Sequence, residues 1–224
     1  MLFIYFFPFF KIVPCNFTKN LFYVPISLSY LLIVDEHFEL KDHINKTIKE
    51  SYATLRTLKK LKRFTSFTTR KQLAESLLLS KLDYCNALFL NLPAYTKNQM
   101  QRVQNSIAGF VYNKYANIND VINLKWLPVS ERIEFSISKI AHKWLHQENY
   151  PSYSNLKLNE SNRTLRSNAE ISIQFSKGDS TFTEEAANVF NQLPTNIKKN
   201  EIFREFSIKV KIFLLDKAIA RNIS

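Results

Sequence analysis

The stretch SKLDYCNALFLNLP, residues 80–93, brings Lys81, Asp83, Tyr84, Cys85 and Asn86 within six positions, residue types from which a nucleophilic site could be built. A cysteine nucleophile needs a base within hydrogen-bond reach and surroundings that lower its pKa. Lys81 lies one helical turn before Cys85, but no histidine is local. The segment also falls near a helix end, where the negative pole of the dipole raises a thiol pKa. Asp83 and Asn86 suit local capping, so the expectation is helix-end punctuation, with no catalytic residue assigned.

Other reactive constellations are sparse. Cys15 and Cys85 are the only cysteines, 70 positions apart, which makes neither a zinc finger nor a disulfide framework and points to a reducing compartment. Cytoplasm or nucleus is therefore expected rather than secretion. His142 and His146 are the only pair at helical metal-ligand spacing, and Lys143, Trp144 and Leu145 between them supply no carboxylate. Only Gly109 and Gly178 are glycines, so the glycine-rich loops that cradle phosphates are excluded. No metal and no cofactor is expected.

Charge is the stronger signal. The 224 residues carry 31 Lys and Arg against 19 Asp and Glu, a net charge of +12, which favours a polyanion: nucleic acid or an anionic membrane surface. At 46% hydrophobic and 22% charged residues, the composition is that of a folded chain of one or two domains. Nine basic residues and one acid, Glu50, lie between Lys46 and Lys71. Lys46, Lys49, Arg56, Lys60 and Arg63 recur at steps of three, four or seven, a stripe about 100° wide on a helix. A solvated face without a partner is the alternative, although such faces usually mix signs.

The elements that must carry this stripe are helical. Ile44, Ile48, Tyr52, Leu55 and Leu58 form an apolar stripe over a helix from about residue 42. Thr69 to Gln72 fits a capping box, followed by Leu73, Leu77, Tyr84 and Leu88 as a buried face that Asn91-Leu92-Pro93 stops. Thr96 to Gln99 repeats the device before Met100, Val103, Ile107 and Val111. Pro128 opens a fourth helix with Ile133, Ile137, Ile140 and Trp144 on one side. Residues 149–168 read as a polar linker, ISIQFS as a short strand, 184–192 as a short helix, and Phe203, Phe206, Val210 and Phe213 as the stripe of a last helix. The fold class is mainly α: a compact helical bundle with a smaller C-terminal helical region and one or two short strands.

Residues 1–34 hold uncharged runs of 10 and 14 residues, both short of the roughly 20 that span a bilayer, and Pro8, Pro14 and Pro25 would kink a helix there. Lys11 follows the first run rather than preceding it, unlike a signal peptide. Strand sequence and a membrane anchor both remain open for this segment.

Five blocks in order carry a resemblance: HINKTIKESYATLRTLKKLKRF…SLLLSKLDYCNALFLNLP, MQRVQNSIAGFVYN, LKWLPVSERIEF, RTLRS and VFNQLPTNIKK. Together they resemble the region after the catalytic palm in reverse transcriptases of LINE-type (jockey-like) non-LTR retrotransposons, over about residues 29–215. The resemblance implies a primer-grip-like strand turn at Tyr30, Leu31, Leu32 and Ile33, where Leu32 replaces the family's glycine. It implies a thumb-like three-helix bundle over residues 35–115 and a connecting loop and long helix over 116–148. Beyond the linker it implies a C-terminal segment over 169–224. The family's Asp-Asp turn, which holds two metal ions for polymerisation, has no counterpart, because the chain contains no adjacent Asp pair. Palm and fingers are thus expected to be missing, leaving a catalytically incomplete fragment and no enzyme.

A thumb of this kind packs a helix on the template–primer and contacts phosphates without reading sequence. The resemblance therefore nominates Lys46, Lys49, Arg56, Lys60 and Arg63, with Thr65 and Thr68 as supporting donors, for RNA or DNA backbone binding. Tyr52, Trp126 and Trp144 are either base-stacking or core aromatics. A full-length polymerase or a second copy could meet the apolar face a thumb turns to its palm. The alternatives are a protein–protein module or decayed reading frame, and a membrane-attached protein.

Overall fold

A computed structural model describes residues 22–26, 30–34, 40–146, 157–158, 173–174 and 181–223. The protein is mainly helical. Its chain divides into two compact units, one ending at Asp120 and the other beginning at Val121.

The first unit opens on an antiparallel hairpin of β1 (Phe22–Ile26) and β2 (Tyr30–Val34), in which Phe22 pairs with Val34 and Ile26 with Tyr30. Helix α1 (Lys41–Lys60) follows, then a 3-10 turn at Lys62–Phe64. Next comes a rod of α2 (Phe67–Ala74), a π turn (Glu75–Leu79) and α3 (Ser80–Asp83). A second 3-10 turn, Asn86–Phe89, leads to α4 (Ala94–Tyr112). Both α1 and α2 pack on α4, and α1 also lies against β2. Ile44, Leu55, Leu58, Leu78, Leu82, Met100, Val103 and Ile107 make the core, all at most 5% exposed.

Several sequence expectations shift here. Ser66, not Thr69, caps α2: its Oγ accepts from the Thr69 N–H, so the helix starts earlier and Thr69 lies inside it. Pro93 precedes α4 without a side-chain cap, and Thr96 is buried within the first turn. The second rod buries Ala74, Leu78, Leu79 and Leu82, whereas Leu77 is exposed and Leu73, Tyr84 and Leu88 are only half-buried. The π turn admits an extra residue and so rotates the apolar face away from the regular spacing. That rod also ends at Asp83, ahead of Pro93, because Cys85 adopts a left-handed φ of 55°. In α1 the buried arc runs through Ile44, Ser51, Leu55 and Leu58, leaving Ile48 half-buried and Tyr52 exposed.

The second unit holds α6 (Val129–His146), which packs on both α7 (Thr181–Asn191) and α9 (Phe203–Ile223). Helix α5 (Ile118–Asn123) precedes α6, and α8 (Thr195–Lys198) joins α7 to α9. Lys157–Leu158 (β3) pairs with Ile173–Gln174 (β4), so a strand lies inside the expected linker and the ISIQFS strand is two residues long. Asn191 ties β4 to α7: its side chain accepts from the Ile173 N–H and donates to the Ile173 carbonyl. Ala187, Phe190, Phe206, Val210 and Leu214 form the core of this unit. The last helix buries Phe206, Val210, Leu214 and Ala218, while Phe203 and Phe213 flank this face half-buried. Glu131 is 2% exposed, and Arg221 Nη1 reaches its carboxylate at 2.8 Å.

Candidate nucleic-acid interface

Lys46, Lys49, Arg56 and Lys60 are all exposed on α1. At 100° per residue they fall within an arc of about 80°, whose centre lies about 170° from that of Ile44, Ser51, Leu55 and Leu58. The separation follows from sequence: the apolar residues seat one side of α1 on α3 and α4, and the cations take what remains. Over the 14 positions from Lys46 to Lys60 the row is about 21 Å long. Arg63 continues it in the 3-10 turn and is exposed. Among the described residues, one member of the row pairs with an acid, Lys46 with Glu50 at 3.9 Å. Both partners of that pair are about half exposed, so it restrains Lys46 little.

The supporting hydroxyls differ. Thr65 is half-buried, and its Oγ1 donates to the Leu61 or Lys62 carbonyl, 3.2 and 3.3 Å away, which closes the 3-10 turn. Thr68 is exposed on α2. Arg70, counted with the basic surplus, is structural: its Nε donates to the Val111 carbonyl at the end of α4 and its Nη1 to the Thr65 carbonyl. Tyr30, Leu31, Leu32 and Ile33 sit in β2, opposite Ile26, Pro25, Val24 and Tyr23. Residues 1–21 and 27–29 of the expected N-terminal segment, and the RTLRS block, lie outside the described residues.

The aromatic candidates separate by burial. Trp126 is 4% exposed, and Trp144 is half-buried with its ring edge-on to Phe182. Trp126 is a core group of the second unit, and Trp144 packs at its margin. Tyr52, 38% exposed, lies about 40° from Arg56 around α1 and flanks the basic row.

At the helix end that holds Cys85, the chemistry is quiet. Burial pushes the thiol up to about 11, partly offset by a hydrogen bond with Tyr84. Lys81 is turned away and donates to Thr54 Oγ1 at 3.0 Å, and the Asn86 side chain donates to Asp83. A thiol so protonated at neutral pH is a poor nucleophile.

His142 and His146 stack with ring centroids 4.4 Å apart, but His142 is 1% exposed, lies on the Phe206 ring and points Nε2 at the Asn200 carbonyl, 2.7 Å away. A carbonyl only accepts, so the proton sits on Nε2, and buried Nδ1 has no partner among the described residues. Among the described residues no group of three or more His, Cys, Asp and Glu could hold a metal, and no helix is long and apolar enough to cross a membrane.

Burial holds the His142 pKa below its ordinary 6.5. The unfolded chain therefore binds the extra proton first, and stability is lost as pH falls below 6.5, by up to about 1.4 kcal/mol per pH unit. Glu131 works the other way, because burial raises its pKa and acidification relieves a buried charge. The two are separated by His142→Gln. Urea titrations followed by tryptophan fluorescence at pH 7.5 and 5.5 are expected to show a smaller acid loss in this variant than in the wild type.

No protein-family profile, curated protein or solved structure matches the chain. The geometry of α1 is accordingly the ground for a functional reading.

Proposed function

We propose that this chain is the thumb and C-terminal part of a LINE-type reverse transcriptase, and that it grips a template–primer duplex by its phosphate backbone without polymerising. The observation that carries the binding is the row of cations on α1, exposed and turned from the core. The family origin rests on the five ordered sequence blocks, and the assignment of binding rather than catalysis rests on the absence of an Asp-Asp pair from the 224 residues.

Along about 21 Å, one strand of a duplex passes roughly six phosphates at 3.4 Å of axis each, enough to occupy the whole row. A helix laid along the backbone spends its lysines and arginines on phosphates, which carry no sequence information, so binding is sequence-independent. RNA–DNA hybrid is the expected ligand. If four or five phosphates are engaged, log affinity falls against log salt with a slope of about −4, measured by fluorescence anisotropy of a labelled hybrid. A flat response sinks the proposal and moves the reading to a protein–protein module, which Ile208, Ile212 and Ile219, exposed along α9, would favour.

A further inference from the structure

A second basic feature lies beside the row, in the same unit. Lys59 and Lys62, at the end of α1, face Arg102, Asn105 and the C-terminal turn of α4 across an open cleft of about 550 Å³. That volume is within the range of small-molecule sites. Arg102, Asn105, Ser106, Gly109 and Asn113 recur at three- and four-residue steps, so one polar face of α4 forms the wall. Among the described residues no carboxylate lines the cleft. Among the described residues, none of Lys59, Lys62 and Arg102 makes an ion pair, and Lys114 at the rim is neutralised by Asp120 at 2.7 Å. Asn105 accepts from Gln101 through Oδ1, which leaves its N–H groups as donors.

The floor of the cleft depends on a close approach. The Lys114 N–H donates to the Gly109 carbonyl, Asn113 takes a left-handed φ of 62°, and a Cβ on Gly109 would lie 2.7 Å from the Lys114 carbonyl oxygen. This folded-back turn projects Tyr115, 96% exposed, at the mouth. An aromatic ring left in water beside three cations and free amide donors offers a face for a planar base next to a seat for its phosphate.

We propose that the cleft receives one unpaired nucleotide, its phosphate among Lys59, Lys62 and Arg102 and its base stacked on Tyr115. The inference deepens the backbone-binding reading and rests on it for the source of the strand. Lys59 lies about 60° round α1 from Arg56, so a strand following the row meets the cleft where α1 ends.

The test compares a blunt RNA–DNA hybrid with the same hybrid carrying a five-nucleotide single-stranded overhang, by anisotropy on the full chain. The overhang is expected to bind about tenfold more tightly. Tyr115→Ala, and separately Lys62→Glu with Arg102→Glu, are expected to abolish that gain, with blunt-hybrid affinity unchanged for Tyr115→Ala. Cytidine 5′-monophosphate is expected to shift the backbone amide resonances of Gly109, Asn113 and Tyr115 more than inorganic phosphate does at equal concentration. Equal affinity for the two hybrids, or an overhang gain that survives Tyr115→Ala, overturns the nucleotide site while salt-dependent blunt binding keeps the row standing. Should neither hybrid bind, the monophosphate shifts support the cleft without the row, and their absence overturns both.

Discussion

Lys49→Glu, Arg56→Glu and Lys60→Glu combined are expected to lower the affinity for an RNA–DNA hybrid by about three orders of magnitude near 0.1 M salt. Each phosphate contact releases about 0.9 of a counterion, which at that salt is roughly 1.2 kcal/mol per contact. Three lost contacts therefore amount to about 3.6 kcal/mol, or some 400-fold, and the three introduced carboxylates add repulsion. The slope of log affinity against log salt is expected to fall from about −4 to between about −1 and −2, since of the row only Lys46 and Arg63 remain. All three sites are exposed on the side of α1 turned from its buried arc, so helix content by circular dichroism should be preserved. Wild-type affinity in the triple variant would show that the row is only a solvated face.

Periodicity made most of the first unit legible. Met100, Val103, Ile107 and Val111 are all buried on α4, as a 3.6-residue repeat implies, because that helix is regular from end to end. The second rod was not legible in the same way. Its π turn at Glu75–Leu79 breaks the repeat that a helical pattern assumes, so Leu77 faces water and Leu78 the core. Nothing in the residue types of that turn announces it; the packing of Ala74 and Leu78 against neighbouring helices settles it.

Capping was misplaced for a related reason. Ser66, Thr68, Thr69 and Thr96 all have the hydroxyl a cap needs, and only the backbone shows which one stands outside the first turn. Ser66 has an extended φ, ψ of −70°, 167°, whereas Thr69 is already helical.

The candidate site was legible as a stripe but not as a cleft. Lys46, Lys49, Arg56 and Lys60 share an arc because they share one helix, which sequence alone can compute. Lys59 at the end of α1, Lys62 in the 3-10 turn after it and Arg102 on α4 lie some forty positions apart, and only the packing of α1 on α4 brings them together. The spacing of Arg102, Asn105, Ser106 and Gly109 on α4 was the available clue: a polar face on a helix whose opposite face, apart from Thr96 and Gln104, is apolar. Conversely, Arg70 is lost from the surface surplus because its guanidinium satisfies carbonyls at Thr65 and Val111, a role that charge counting cannot see.

Phe206→Ala is expected to destabilise the C-terminal unit by about 3–5 kcal/mol, the usual result of emptying a fully buried aromatic site. Phe206 is 0% exposed, stacks on His142 with centroids 4.1 Å apart and lies 6.2 Å from Phe190, so its removal leaves a void lined by two rings that backbone packing of α6 and α7 holds in place. Domains have a total stability of only about 5–15 kcal/mol, so the variant is expected to lie near the edge of folding. For a unit of about a hundred residues the melting temperature should fall by some 15–30 °C. Trp126 and Trp144, the only two tryptophans, both belong to this unit, so fluorescence-detected melting reports it selectively. The void also admits water to the His142 ring, which lets its pKa rise toward the ordinary value. The extra destabilisation of the variant is therefore expected to be smaller at pH 5.5 than at pH 7.5, where the protonation penalty on wild-type His142 is not incurred. A loss of the same size at both pH values would show that Phe206 packs the core without governing the histidine.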